Sequence, residues 1–175
     1  MSACAPGKST FLRLAIKSLF GLLTMIPSLA GADIARQEMS SWCWAACIQD
    51  IEQQVGLLES QAHIVQRLYG APFDQAASIP QVAALLQQAR MRGQYFMRPP
   101  GNPAEIVGAF SSAWKMIILV DPSLGPTGHF VVLEAADFNG NVLVSDPFPP
   151  FTLWMSVAAV YQQYHWIGSI LIARP

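Results

Sequence analysis

The sequence contains few charged residues and no run of basic ones. Asp, Glu, Lys and Arg make up only 12% of its 175 residues, and the formal net charge is −1. Proteins that bind nucleic acids neutralise phosphate groups with a basic patch or stripe. Because the sequence has no such cluster, nucleic-acid binding is not expected.

Cysteine is also scarce. The chain has three cysteines, Cys4, Cys43 and Cys47. Small exported domains that depend on disulfide bonds have four or more. Cys43 and Cys47 are so close in sequence that a bond between them would join nothing distant and would be strained within a helix. A disulfide scaffold is therefore not expected, and a strained local bridge is the structural alternative to a reactive thiol.

Apolar residues, in contrast, are abundant. They make up 53% of the chain, which is enough for a substantial core and is atypical of disordered proteins. Neither an internal repeat nor a low-complexity segment is present. The length predicts one domain.

The first 32 residues resemble an export signal. Basic residues precede a short apolar stretch at residues 18–26, and no acidic residue comes before Asp33. The apolar stretch is too short for a membrane span, which needs about 20 residues. Ala30 and Ala32 supply the small side chains that a signal peptidase requires. The sequence therefore predicts a signal peptide over residues 1–32.

Cleavage after Ala32 would leave a domain of residues 33–175, exported to the periplasm or secreted. It would remove three of the 10 basic residues and none of the 11 acidic ones, so the mature net charge would be 7 − 11 = −4. We expect this domain to be a monomer that is not attached to the membrane. The alternative is an uncleaved amphipathic helix at the N-terminus.

The first half of the chain has the pattern of helices. Serine precedes several apolar-periodic segments, and glycine follows two of them, which are typical start and stop signals of helices. Ser40 or Ser41 is expected to cap the first helix, and Ser60 and Ser78 the next two. The predicted helices cover residues 42–55, 60–69, 78–92 and 104–111.

The second half has the pattern of strands. Short apolar segments rich in Val, Ile and Leu alternate with turn signals such as the sequence DFNGN. A further helix is predicted around residues 157–164. Helices followed by an antiparallel sheet predict an α+β fold. The predicted strands cover residues 115–120, 129–135, 141–145 and 166–173.

The segment QEMSSWCWAAC, residues 37–47, places Cys43 at the start of the first predicted helix. Free N–H groups and the macrodipole at a helix N-terminus stabilise a thiolate, which is the nucleophilic form of cysteine. Cys47 lies one turn deeper in apolar surroundings and is predicted to be an inert, neutral thiol. The flanking Trp42 and Trp44 are expected mainly to pack around the thiolate and shield it.

A histidine and an aspartate are predicted to lie together. His129 begins one strand, and Asp146 ends the strand that pairs with it across the DFNGN turn. In a hairpin both side chains lie at the same open end, as a His–carboxylate pair requires. Asp121 is the alternative carboxylate, but it precedes the histidine in the chain. His63 and His165 are interpreted as incidental.

These segments resemble those of papain-like cysteine peptidases. Gln37, six residues before Cys43, and the sequence Cys-Trp-Ala at a helix start resemble the active-site segment of that superfamily. The segments GHFVVLEA and NVLVSDP are similar to the histidine and aspartate segments of the compact bacterial branch, of C39 type and AvrRpt2 type. Ser40-Ser41-Trp42 replaces the glycine-serine lead-in of papain itself, which favours the small bacterial type.

The resemblance implies a fold in which N-terminal helices, with the nucleophile at a helix N-terminus, pack on a C-terminal antiparallel sheet. It further implies Cys43 as the nucleophile and His129 as the general base and acid. Asp146 would orient His129, and Gln37 would donate to the oxyanion together with the Cys43 N–H. No cofactor and no metal are implied, and the substrate would be a protein or a peptide.

Three alternatives compete with a cysteine peptidase. Cys43, Cys47, His129 and Asp146 could form a zinc site, although their spacing is a weak signal for one. The chain could be a catalytically inactive binding module of the same fold. An acyltransferase of transglutaminase or arylamine acetyltransferase type would use the same three residue types with another acceptor. The sequence favours the peptidase.

Overall fold

The computed structural model describes residues 34–121 and 128–173, apart from the side chains of Pro103 and Ser112. The predicted signal peptide, residues 1–32, lies outside the described residues and stays a prediction. Within the described ranges, no helix is both long and apolar enough to cross a membrane.

The described residues form five helices and six strands, in the order α, α, α, β, α, β, β, β, β, α, β. The helices are α1 (Cys43–Gln53), α2 (Gln61–Tyr69), α3 (Ile79–Gln88), α4 (Pro103–Ser112) and α5 (Val157–Tyr164). The strands are β1 (Gly93–Phe96), β2 (Lys115–Val120), β3 (His129–Ala136), β4 (Asn141–Pro147), β5 (Pro150–Ser156) and β6 (Trp166–Ile172).

The six strands form one antiparallel sheet in the order β1-β6-β2-β3-β4-β5. Successive side chains of a strand point to opposite faces, and β2 and β3 are buried on both. Helices α1, α2 and α3 pack with Phe130 and Val132 on one face. Helices α4 and α5 pack with Val131 and Leu133 on the other. The sheet therefore carries two cores, and the α+β prediction is confirmed.

Two predicted helix starts are confirmed by their caps. Ser60 accepts a hydrogen bond from the His63 N–H at the start of α2, and Gly70 closes that helix in the left-handed region, with φ of 79°. At the start of α3, the Ser78 N–H donates to Gln81 Oε1 at 2.8 Å. Each cap satisfies backbone groups that have no partner within the helix.

The predicted cap of α1 is wrong. Trp42 occupies the N-cap position, and its side chain makes no capping hydrogen bond. The two serines bind a different loop instead, because the Ser40 hydroxyl and the Ser41 N–H donate to the two carboxylate oxygens of Asp74 at 2.6 and 2.8 Å. Helix α1 begins at Cys43, so Ser41 lies one residue before its N-cap position and Ser40 lies two residues before it.

Three further boundaries differ from the prediction. Helix α3 ends at Gln88, so Arg90 and Arg92 lie beyond its last turn. Strand β4 continues to Pro147 instead of stopping at residue 145, because β5 pairs with its whole length. Strands β1 and β5 were not predicted. Both are edge strands with several exposed residues, and neither has the alternating pattern of a half-buried strand.

Candidate active site

Cys43 and His129 meet where α1 packs against β3. Cys43 is the first residue of α1, and only 7% of its surface is exposed. The main-chain N–H of Phe130, the residue after His129, donates to Cys43 Sγ at 3.5 Å. The N–H groups of a first helical turn have no partners within the helix. The sulfur therefore lies among main-chain donors that favour a negative charge.

His129 is hydrogen-bonded to Asp146. The distance from His129 Nε2 to Asp146 Oδ1 is 2.7 Å, and the Asp146 side chain is only 4% exposed. Since Nε2 is bound to the carboxylate, Nδ1 is the ring nitrogen left for the hydrogen bond with Cys43. The side chains thus follow the order thiol, imidazole, carboxylate.

This arrangement keeps the imidazole protonated. Burial, the strongest single influence, lowers the pKa of His129, but it is outweighed by hydrogen bonds to Asp146 and Cys43 and by their charges. Together these contacts raise the pKa of His129 from 6.5 to about 9. An imidazolium that persists through neutral pH can pair with a thiolate.

Asp146 is held from several sides. Its Oδ1 also accepts the main-chain N–H of Phe148 at 2.8 Å, and its Oδ2 accepts the hydroxyl of Tyr164 at 3.3 Å. Asp146 lies inside the sheet, opposite Phe151 of β5. The alternative carboxylate, Asp121, follows β2, and its main-chain N–H donates to Tyr164 O at 2.8 Å.

Gln37 lies beside this group in the same cleft. Its main-chain N–H donates to Pro147 O at 3.2 Å, which attaches it to the end of β4. Its side-chain Nε2 donates to Met39 O at 3.0 Å and to Ser40 O at 2.9 Å. Its Oε1 is buried and has no hydrogen-bond partner. Both amide hydrogens are therefore engaged here, and donation to an oxyanion stays a prediction.

A residue that sequence reasoning missed, Gln61, holds the segment around Gln37. Gln61 is fully buried; its Nε2 donates to Arg36 O and its Oε1 accepts the Glu38 N–H, both at 2.9 Å. A second bond joins Nε2 to Gln49 Oε1 at 3.1 Å. The side-chain amide thus pairs with both peptide groups that flank Gln37. A glutamine at the start of a helix gives no sequence signal of this role.

The two tryptophans beside Cys43 attach another loop to the start of α1. The Trp42 indole N–H donates to Phe73 O at 2.8 Å, and the Trp44 indole N–H donates to Gln75 O at 3.0 Å. Both side chains are buried. They therefore do more than pack around the thiol, because they fix the loop after α2 against the helix that carries Cys43.

The second cysteine has a different environment. Cys47 is completely buried, and both it and Cys43 are free thiols. Burial, and after it the nearby Cys43, raises the pKa of the Cys47 thiol well above its ordinary value. A neutral, enclosed thiol of this kind is a packing group.

A zinc site would need at least three ligand side chains close together. Among the described residues, no group of three or more His, Cys, Asp or Glu side chains is placed to hold a metal ion. His63 and His165 are both exposed, His63 on α2 and His165 at the end of α5. The interpretation of these two histidines as incidental stays a prediction.

A cleft of about 1120 Å³ opens onto the thiol and the imidazole. Residues 36–41, which precede α1, line the cleft together with Phe148, which follows β4. Arg36 lies over the Phe148 ring, with its guanidinium carbon 5.5 Å from the ring centroid. This volume is comparable to the upper end of the range for ligand clefts in proteins, about 300–1,000 Å³.

Comparison with known proteins identifies the fold. No family model and no curated protein matches the sequence. In structure, the chain is similar to the peptidase domain of Streptococcus ComA, a bi-functional ABC transporter involved in quorum sensing. The TM-score is 0.65 at 14% identity, over 82% of this chain and 98% of that one. This chain has the fold of that peptidase domain.

Two further solved structures agree. A double glycine motif protease from an AMS/PCAT transporter, in complex with its leader peptide, matches with a TM-score of 0.62 at 12% identity, over 81% of this chain and 91% of that one. The peptidase domain of Streptococcus mutans ComA matches with a TM-score of 0.55 at 12% identity, over 81% and 99%. The papain-like fold of C39 type is thus confirmed, and the resemblance to AvrRpt2-type peptidases stays a prediction.

A second polar cluster lies farther along the interface of α1 and β3. Asp50 of α1 and Glu134 of β3 are within hydrogen-bonding reach of each other, and Gln54 Nε2 donates to Asp50 Oδ2 at 2.9 Å and to Glu134 Oε2 at 3.2 Å. The Lys115 ammonium forms an ion pair with Glu134. Burial, followed by the charge of Glu134 and the hydrogen bond to it, raises the pKa of Asp50 to about 8.

This cluster predicts a pH-dependent stability. The pKa of Asp50 is raised from 3.8 to about 8 on folding. The contribution of protonated Asp50 to the free energy of unfolding is therefore complete below about pH 4, and it is lost as the pH rises through about 8. Asp50→Asn keeps a neutral donor to Glu134 at every pH. One pKa unit corresponds to about 3–6 °C in Tm for a chain of this size, and we expect Asp50→Asn to raise Tm by at least that much at pH 9.

Thermal unfolding at pH 4 and pH 9 checks this expectation. Near pH 4 the variant and the wild type should differ little, because Asp50 is then protonated in the folded state and, with a pKa of 3.8, is still about 40% protonated in the unfolded state. Glu38→Gln, which neutralises an exposed carboxylate, is the control for net charge. An equal Tm difference at both pH values would contradict the raised pKa of Asp50 in the folded protein.

Proposed function

We propose that the chain is a cysteine peptidase that hydrolyses peptide bonds with Cys43 as its nucleophile. The observation that carries the proposal is the hydrogen-bonded order of Cys43, His129 and Asp146, with the thiol in the first turn of α1. The fold shared with peptidase domains supports it. Neither a metal nor a cofactor is required for this chemistry.

The first half of the reaction forms an acyl-enzyme. The Cys43 thiolate attacks the carbonyl carbon of the substrate, and the carbonyl oxygen becomes an oxyanion. The His129 imidazolium then gives its proton to the amine that leaves when the C–N bond breaks. Asp146 holds the ring in the orientation that keeps Nδ1 toward the sulfur.

The second half releases the product. Neutral His129 removes a proton from water, and the resulting hydroxide attacks the thioester carbon. The C–S bond then breaks and the acid product leaves. The sulfur is again a thiolate, and His129, which has kept the proton from water, is again an imidazolium. In both halves the oxyanion would be stabilised by the Cys43 N–H and by the side chain of Gln37.

The substrate we propose is a peptide or protein that lies extended in the cleft. Extended peptides offer their carbonyl groups to a nucleophile without first losing regular structure. One similar structure is a protease in complex with a leader peptide, which supports a peptide as the substrate class. We further propose that residues 1–32 are removed on export and that the enzyme acts in the periplasm or outside the cell. We propose that it is a monomer there.

Two assays of the purified chain test the proposal. A library of natural peptides, incubated with the chain and analysed by mass spectrometry, should contain new termini at a defined set of bonds. Products that carry an added amine in place of a free carboxylate would instead indicate an acyltransferase. An intact library, with no labelling of the chain by an epoxide inhibitor, would indicate a catalytically inactive binding module.

The pH dependence of kcat/KM gives a further prediction. The reactive form needs an ionised sulfur and a protonated His129, so the profile should be bell-shaped. Because the pKa of His129 is raised to about 9, the alkaline limb should fall near pH 9 rather than near 6.5. Initial rates between pH 4 and pH 10.5 measure both limbs. A rate that rises without a maximum to the alkaline end would contradict a thiolate–imidazolium pair.

A further inference from the structure

The second oxygen of Asp146 is bound by a residue from a different part of the fold. Tyr164 is the last residue of α5, on the sheet face opposite α1, and its hydroxyl donates to Asp146 Oδ2 at 3.3 Å. This is long for an O–H···O bond, as is common in active sites without substrate. The other oxygen, Oδ1, is bound to His129 Nε2 and to the Phe148 N–H.

We propose that Tyr164 is a positioning residue of this site, whose hydroxyl fixes Asp146 Oδ2 and thereby keeps Oδ1 in line with His129 Nε2. The inference rests on the proposed function of the Cys43, His129 and Asp146 group. The terminal torsion of an aspartate has a broad energy minimum. A donor on each oxygen removes that freedom, and the imidazole that Asp146 holds is fixed with it.

Tyr164 is itself rigidly held. Val157 and Val160 anchor α5 in the second core, and the Ser156 hydroxyl accepts the Ala159 N–H at 3.1 Å to cap the helix. The Tyr164 carbonyl accepts the Asp121 N–H at 2.8 Å, which ties the end of α5 to the end of β2. A positioning group is effective only when it is supported in this way.

The tyrosine is a donor throughout the working pH range. Burial, and after it the charge of Asp146, raises the pKa of Tyr164 to about 12. The hydroxyl therefore stays protonated where a Cys–His pair operates. Tyr164 is not among the residues that line the cleft, so its removal should affect the orientation of Asp146 and not the binding of substrate.

Tyr164→Phe tests the proposal with the full chain. We expect kcat to fall about tenfold with KM within about twofold, because one neutral hydrogen bond to a charged group is lost away from the substrate. The charge of Asp146 is then shared with one donor fewer, so its attraction for the imidazolium increases. NMR titration of the His129 ring should therefore show a pKa about 0.5–1 unit higher than in the wild type.

Tyr161→Phe is the matched control. Tyr161 lies one turn earlier on α5, and its hydroxyl donates to Pro100 O instead of to Asp146. Both variants lose a hydrogen-bonded tyrosine hydroxyl from the same helix, but only Tyr164→Phe should change the His129 titration and kcat. The same change in both variants would overturn the proposal, since it would then reflect the stability of α5.

The titration needs no substrate, so it separates this proposal from the proposed function. A chain without peptidase activity whose His129 titration still shifts in Tyr164→Phe would overturn the function and retain the positioning role. Activity with an unshifted titration and unchanged kcat would overturn only the role of Tyr164. Should Tyr164→Phe not fold, 3,5-difluorotyrosine at position 164 is a stronger donor and should lower the His129 pKa, and an unchanged value would overturn the proposal.

Discussion

Cys43→Ala is expected to abolish both peptide hydrolysis and labelling by an epoxide inhibitor while leaving a folded protein. In the proposed mechanism the thiol is the attacking group, and no other described side chain at the head of α1 carries a nucleophile that is hydrogen-bonded to His129. Alanine removes only one sulfur atom, from a residue that lines the cleft, so the packing loss is small. Product formation, mass spectrometry of the labelled chain and thermal unfolding measure the three outcomes.

Cys47→Ala is the matched control, because it removes the same atom from the same helix one turn deeper. Cys47 is fully buried among apolar side chains, and burial raises the pKa of its thiol. Its replacement should cost about 1 kcal/mol of stability, at the low end for a buried truncation, and leave activity largely intact.

The two variants also distinguish the alternatives. Inactive Cys47→Ala with active Cys43→Ala would make Cys47 the nucleophile and would break the match to the papain-like segment. Loss of activity in both variants, with zinc bound to the wild type, would assign the site to a metal. The proposed function predicts neither result.

Much of the fold could be predicted because its signals are local. The serines before α2 and α3 and the glycine after α2 act within one turn of the chain, so the sequence near each boundary contains the whole cause. Strands β2 and β3 are buried on both faces and therefore read as continuous apolar runs. The edge strands β1 and β5 lack both signals, since their pairing depends on β6 and β4.

In the candidate site, too, some residues could be predicted from local signals and others could not. Cys43 and His129 each begin a secondary-structure element, and such boundaries are visible in the sequence. Asp146 could be placed near His129 from the hairpin turn, although it lies inside β4 and not after it. Gln61 and Tyr164 act through tertiary contacts with residues far away in the chain. Nothing in their local sequence marks them.

The proposed role of Gln37 as an oxyanion donor would require a rearrangement that the sequence could not reveal. Its Nε2 donates to Met39 O and Ser40 O, while Gln61 and Pro147 fix its main chain beside the cleft. To stabilise an oxyanion, Nε2 must exchange or share one of these two bonds when the charge develops. The charged acceptor favours this exchange, because hydrogen bonds to an ionised group are stronger than those to a neutral carbonyl.

Gln37→Ala is therefore expected to lower kcat by about 10²–10³, the usual cost of losing one oxyanion donor, with little change in KM. The variant also loses two hydrogen bonds to the main chain, so its Tm must be measured and its activity assayed well below that temperature. Gln53→Ala, which truncates an exposed glutamine at the end of α1, is the control. Wild-type kcat in Gln37→Ala would remove Gln37 from the mechanism, and a raised KM with unchanged kcat would assign it to substrate binding.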